Sequence, residues 1–217
     1  MAELHLQRPF SSLQRLAQGA AQQTEAVQER CDFCSETIPH VHRHLLNVSS
    51  REIVCACRPC SILFNKEAAS QGTYRLIPDR CLVLEDFLMR DPEWERMRIP
   101  VGIAFFVYST AAQRVMVFYP SPMGPTESLL EMSAWATIEQ SNPVLLQMER
   151  EVEALLVNRA RGERQYFLVP IDECYRLVGI IRLNWKGLSG GQEVWKEIKR
   201  FFDTVRGHAR RTHREGG

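Results

Sequence analysis

No apolar run in this chain approaches the ~18 residues that a membrane-spanning helix needs, and the longest, residues 102–108, has the length of a strand. The N-terminal residues 1–30 lack the charged start, apolar middle and small-residue cleavage site of a secretory signal, which predicts a cytoplasmic protein. An excess of charge of one sign is missing too. Twenty-seven basic residues stand against twenty-six acidic ones, so a net charge of +1 supplies no long-range field toward nucleic acid or an anionic membrane, and any such binding has to be local. Neither a Ser/His/Asp set nor a framed pair of carboxylates nor a Walker spacing is present, so no catalytic or cofactor-binding residue is assigned. What the chain does have is apolar content of 45% over 217 residues, enough for one substantial core with a small appended module and too much for disorder throughout.

The informative excess is cysteine. Of seven, five crowd between positions 31 and 60, and in a reducing compartment such clustering reads as metal ligation rather than as a disulfide framework. Cys31-Asp32-Phe33-Cys34 and Cys57-Arg58-Pro59-Cys60 are two C-x2-C knuckles separated by twenty-two residues. Each knuckle can turn its two sulfurs toward one point, and a hairpin between them brings the points together, so four thiolates can close a tetrahedron around one ion. A sphere filled by sulfur has no position for a water nucleophile. The expected metal is therefore structural zinc, whose binding in small modules supplies an apparent ~10–16 kcal/mol of folding energy. Iron in a rubredoxin-like site is the alternative, although neither knuckle has the Cys-Pro-x-Cys-Gly form usual there. The ligand set is open in two respects. Cys55 lies two residues before Cys57 and could replace it, and His40, His42 and His44 alternate, so on a strand they share a face and could supply a ligand or a second site. A solvated strand face explains these histidines equally. Cys81 and Cys174 sit in apolar contexts and read as buried, inert thiols.

Residues 1–30, rich in Gln and Ala, read as a weak helix or a mobile arm. In the cysteine module, 31–72, residues 42–48 and 52–56 flank Ser49-Ser50-Arg51 as a β-hairpin, and Pro59 opens a helix over 61–70 that stops before Gly72. This order resembles a treble-clef or zinc-ribbon arrangement. The body spans 73–206. Residues 74–78 and 81–84 are short strands, and Asp91-Pro92 has the form of an N-cap followed by Pro at the first helical position. Hairpins are expected over 102–108 with 114–119 and over 153–158 with 165–169, with helical stretches at 133–140 and from Asn142-Pro143 onward. Asp172 can cap a helix carrying Cys174, Leu177, Val178, Ile181 and Trp185 on one face, and a second helix carries Val194, Trp195, Ile198, Phe201, Phe202 and Val205 on one stripe. Between them, residues 186–191 (KGLSGG) do not follow a strand and read as a helix-to-helix turn with Ser189 or Gly190 near a cap. Residues 207–217 form a basic tail, read as a solvated end. Strands grouped before the main helices give an α+β class: antiparallel hairpins covered by C-terminal helices, with a small N-terminal zinc-knuckle module.

Residues 119–129 (YPSPMGPTESL), 168–176 (LVPIDECYR) and 185–191 (WKGLSGG), together with the knuckles, resemble a bacterial family of unknown function, over roughly residues 31–206. Its members are commonly encoded among nickel-iron hydrogenase genes, especially of the actinobacterial type. The resemblance implies a setting and carries no catalytic residues. The functional expectation is an accessory protein that assists assembly, maturation or docking of a nickel-iron hydrogenase, with a hydrogenase subunit or maturation factor as partner. A rubredoxin-like electron-transfer or redox-protective protein and a nucleic-acid-binding regulator are the alternatives. For the last, the module's Arg43, Arg51, Arg58 and Lys66 are only moderately dense and stacking aromatics are few. Partner recognition concentrates in a few rigid anchors, and Tyr119, Pro120, Pro122 and Met123 are the candidates: two prolines stiffen this turn, which reads as a link from strand to helix.

Overall fold

Two sheets organise the chain, and the computed structural model describes residues 29–187 and 190–212. The expected N-terminal arm lies outside the described residues except for Glu29 and Arg30. The smaller sheet has the order β2-β1-β3, from β1 (Arg43–Asn47), β2 (Ile53–Ala56) and β3 (Tyr74–Leu76). Asn47 closes the β1–β2 hairpin: its side-chain oxygen accepts the N–H groups of Ser49 and Ser50 at 3.0 and 3.1 Å, an Asx turn. The helix expected over 61–70 is two short ones, α1 (Arg58–Phe64) and α2 (Glu67–Ser70). The break falls at Asn65, whose side-chain oxygen accepts the N–H of Leu76 at 2.8 Å and ties the helix end to β3. Residues 74–76, read from sequence as the start of the body, thus add a third strand to the module's sheet.

The larger sheet has seven strands: β4 (Leu82–Leu84), β5 (Ile103–Ser109), β6 (Arg114–Ser121), β7 (Gly124–Ser128), β8 (Glu153–Asn158), β9 (Gln165–Pro170) and β10 (Arg210–Thr212). Their order is β10-β4-β9-β8-β5-β6-β7, antiparallel throughout except for β10 beside β4. Both expected hairpins are present, β5–β6 and β8–β9. Alternation along the central strands splits the core in two. Ile103, Phe105 and Val107 of β5, with Leu156, Phe167 and Val169, pack against α5 (Ile171–Asn184) and α6 (Gly191–His208). Ala104 and Phe106, with Leu155, Val157 and Leu168, pack against Trp135 and Ile138 of α4 (Met132–Ser141) and against Met89 and Met97 around α3 (Asp91–Arg96). Residues 143–147, past α4, form a 3-10 turn. Among the described residues no helix is long and apolar enough to cross a membrane.

The C-terminal helices behave as their periodicity predicts. Cys174, Leu177, Val178 and Ile181 of α5 and Val194, Ile198, Phe201, Phe202 and Val205 of α6 are buried. Trp185 and Trp195, expected inside, sit half-buried at the rim, where the guanidinium of Arg161 stacks 4.3 Å from the Trp195 ring. Gly190 opens α6 at φ +82°, and a Cβ there would meet the Trp185 ring at 3.0 Å.

Two expected caps are displaced by a residue or two. Asp91 is the first residue of α3, not its cap, because Glu93 accepts the N–H of Arg90 at 2.7 Å and closes the turn from within; Asp91 instead pairs with Arg159 and Arg164. Asp172 is the second residue of α5, and one of its oxygens reaches out of the body altogether. The basic tail also departs from expectation, since Arg210–Thr212 adds to the edge of the large sheet as β10. Its residues 213–217 lie outside the described residues.

Small sheet and body share a core. Leu46 of β1 and Ile77 just past β3 are buried among the residues under α5 and α6. Arg51, in the turn of the small hairpin, pairs with Glu151 of the body, which is 1% exposed and also accepts the hydroxyl of Thr110 at 2.7 Å.

Candidate metal centre

The first knuckle is a tight turn laid on β2. The N–H of Ser35 donates to the Cys31 carbonyl at 2.8 Å with Ser35 at φ +62°, and Cys31 returns an N–H to Glu36 at 2.8 Å. Asp32 then pairs with Cys55 as a strand residue would. Its N–H donates to the Cys55 carbonyl at 2.9 Å, and its carboxylate accepts the Cys55 N–H at 2.6 Å. The second knuckle begins where β2 ends. Cys57 is the extended N-cap of α1, Pro59 occupies the first turn, and Cys60 falls one turn in, so both sulfurs point from the helix start. Phe33 stacks on Phe64 with ring centroids 4.1 Å apart and meets Tyr74 edge-on at 5.1 Å, an aromatic wedge that holds knuckle, helix and β3 together.

The sulfurs of Cys31, Cys34, Cys57 and Cys60 all lie within 4.8 Å of one another, and those of Cys34 and Cys57 are 3.7 Å apart. A tetrahedron with metal–sulfur bonds of about 2.3 Å has sulfurs about 3.8 Å apart, so the cluster has the size of a four-thiolate site. The electrostatics agree. Burial pushes the Cys31 thiol up, but hydrogen bonds from the backbone of Cys57, Cys34 and Phe33 outweigh it and bring it down to about 6. Burial and the neighbouring cysteines push Cys60 up instead. The backbone thus prepares one thiolate, and a second or third charge beside it calls for a cation. These four residues could together hold a metal ion.

Cys55 does not join them. Its spacing from Cys57 would put both on one face of a strand, but β2 stops at Ala56 and the chain turns into α1, which separates them. Cys55 instead faces His44 across β1 and β2, and His42, His44 and Cys55 form a second group whose ligand atoms lie within 4.8 Å of one another. His40 is in neither group: β1 begins at Arg43, so His40 is exposed in the irregular segment after Pro39. One further participant was invisible in sequence. Asp172 accepts a hydrogen bond from Nδ1 of His44 at 2.8 Å across 128 residues, and no local signal marks such a partner. Its carboxylate holds the His44 imidazolium form above the usual histidine range, against the effect of burial.

The other singled-out residues are dispersed. Cys174 is fully buried and Cys81 half-buried; burial raises both thiols, Cys81 to about 11. The turn at 119–124 joins β6 to β7, two strands, because Ser121 pairs with Gly124 and the chain continues as an edge strand. Met123 is 91% exposed and Pro122 exposed at its tip, Tyr119 is half-buried, and Pro120 is buried. Of the module's basic residues, Arg43 and Arg51 are engaged by Asp79 and Glu151.

Comparison with known proteins matches the chain to Family of unknown function (DUF5947) over residues 30–209, a span that includes both knuckles, the small sheet and all of the large sheet but β10. Neither the curated proteins nor the solved structures contain a match to the chain.

Proposed function

The chain belongs to DUF5947, a family of unknown function, and we propose that it is a zinc-stabilised accessory protein that assists assembly, maturation or docking of a nickel-iron hydrogenase through protein contacts. The observation that carries the first half is the convergence of four cysteine sulfurs into a set of tetrahedral size. An ion there has every position filled, so its contribution is to lock the knuckles onto β2 and α1 and present the small sheet rigidly against the body. Reduced thiols of this kind are kept in the cytoplasm, where we place the protein. The hydrogenase setting is supported by the resemblance of residues 119–129, 168–176 and 185–191, together with the two knuckles.

Contact with a partner subunit or maturation factor is assigned to the β6–β7 tip. Met123 is almost wholly exposed there on a hairpin stiffened by Pro120 and Pro122, which reduces the entropy lost on binding. Deleting the gene in its host is expected to lower hydrogenase activity while transcripts of the structural subunits persist, and a copy carrying Met123→Ala and Pro122→Ala is expected to fold yet fail to restore it. Unchanged hydrogenase activity after deletion ends this reading. Metal identity separates it from rubredoxin-like electron transfer: a colourless zinc protein fits the accessory role, and a red iron protein with a reversible potential fits the other.

A further inference from the structure

His42 has a buried nitrogen without a partner among the described residues. Its ring is 6% exposed; Nδ1 faces the Pro39 carbonyl at 3.0 Å and the Glu29 carboxylate at 3.3 Å, while Nε2 makes no hydrogen bond among the described residues. A carbonyl only accepts, so Nδ1 carries the hydrogen and Nε2 of the neutral ring holds a lone pair. Leaving such an atom buried and unpaired is costly. His44 is arranged the same way: Nδ1 is bound to the carboxylate of Asp172, which leaves its Nε2 as the free nitrogen. The two rings stand edge to face with centroids 4.7 Å apart, and Cys55 lies directly across the strand pair from His44. Three carboxylates, those of Glu29, Asp32 and Asp172, contact these residues or their backbone, so the surroundings favour a cation.

Metal-binding histidines characteristically donate the far N–H to a backbone carbonyl or a carboxylate, which fixes the tautomer and aims the ring. Both halves of that pattern are present, a carbonyl behind His42 and a carboxylate behind His44. We propose that His42, His44 and Cys55 form a second metal site, beside the four-cysteine centre, that takes a divalent ion such as zinc through two imidazole nitrogens and one thiolate. The Cys55 proton leaves to solvent on ligation. Three protein ligands leave a fourth position for water or an incoming ligand, so this ion is exchangeable and open where the first is closed. Asp172, in the first turn of α5, is a positioning residue that acts through His44. The inference rests on these residues and not on the hydrogenase setting.

Cobalt(II) titration of the metal-free full chain, followed by its visible absorption, tests the site. The wild-type chain is expected to take two equivalents, the first with a spectrum dominated by sulfur-to-metal charge transfer and the second with weaker transfer bands. His42→Gln, His44→Gln and Cys55→Ala should each lose the second equivalent and keep the first, whose retention reports an intact module. Asp172→Asn should keep both with the second bound ~10–100-fold more weakly. A wild-type chain that binds one equivalent only, or a second equivalent that survives all three ligand substitutions, overturns the proposal. X-ray absorption of the wild-type chain needs no variant: nitrogen neighbours should appear only with the second equivalent, and their absence from doubly loaded protein overturns it as well.

Discussion

Replacing Arg51 by Ala tests the join between the metal module and the body. Glu151 is 1% exposed and takes its charge compensation from Arg51, with Thr110 contributing hydrogen bonds that carry no charge. Removing the guanidinium leaves a buried carboxylate without a cation, a change that costs ~3–5 kcal/mol where no water replaces the partner. Arg51 is about a quarter exposed at 26%, so water reaches the vacated space and the lower end applies, about 3 kcal/mol. For a chain of this size that is a fall in melting temperature of roughly 6–12 °C. In a glycine variant a second effect opposes the first. Arg51 sits at φ +62°, a left-handed conformation that L-residues hold at a cost of ~1–2 kcal/mol and glycine holds freely. Arg51→Gly should therefore be more stable than Arg51→Ala by about 1 kcal/mol, although both lose the same ion pair. Thermal and urea unfolding of zinc-loaded protein, followed by circular dichroism, measure both differences. A loss below ~1 kcal/mol in Arg51→Ala, or a glycine variant no better than the alanine one, would refute the reasoning.

Arg80→Met should destabilise by ~3–5 kcal/mol, because Glu153 is fully buried and Arg80 grips both its oxygens; the double variant Arg80→Met, Glu153→Met should recover most of that in the same melts. Phe202→Ala should cost ~3–5 kcal/mol by opening the core under α6, whereas Trp195→Ala, at the rim against Arg161, should cost only ~1–2 kcal/mol, an ordering that urea melts check directly. Stripping metal with a chelator should raise amide exchange across residues 31–64 and leave the large sheet protected, since the Phe33, Phe64 and Tyr74 rings that still join the knuckles are all part-exposed. Cys57→Ser should abolish the tight metal site and Cys55→Ser should leave it in place.

Where a signal was local, the sequence was readable. The knuckles declared themselves because two residues of spacing suffice to aim two sulfurs, and the hairpins β5–β6 and β8–β9 because alternating β-branched and aromatic residues demand a pleated, half-buried surface. The 3.6-residue period of α5 and α6 was equally plain. Strand β7 was missed because Gly124-Pro125-Thr126-Glu127-Ser128 has no apolar alternation; as an edge strand it needs none on its outer side, and its place comes from pairing with β6. The same holds for β10, whose Arg210 and Arg211 read as a solvated tail. Caps at Asp91 and Asp172 were misplaced because both carboxylates are used by distant partners, Arg159 with Arg164 and His44. Those partners are 68 and more residues away, where composition and spacing are silent.

The claim on which the rest depends is that Cys31, Cys34, Cys57 and Cys60 together enclose one ion. X-ray absorption at the zinc edge, on the full chain loaded with a single equivalent of zinc, measures it most directly. The account predicts a single shell of four sulfurs at about 2.3 Å with no nitrogen or oxygen neighbour. Fewer than four sulfurs, or a light-atom neighbour in that first equivalent, would contradict it.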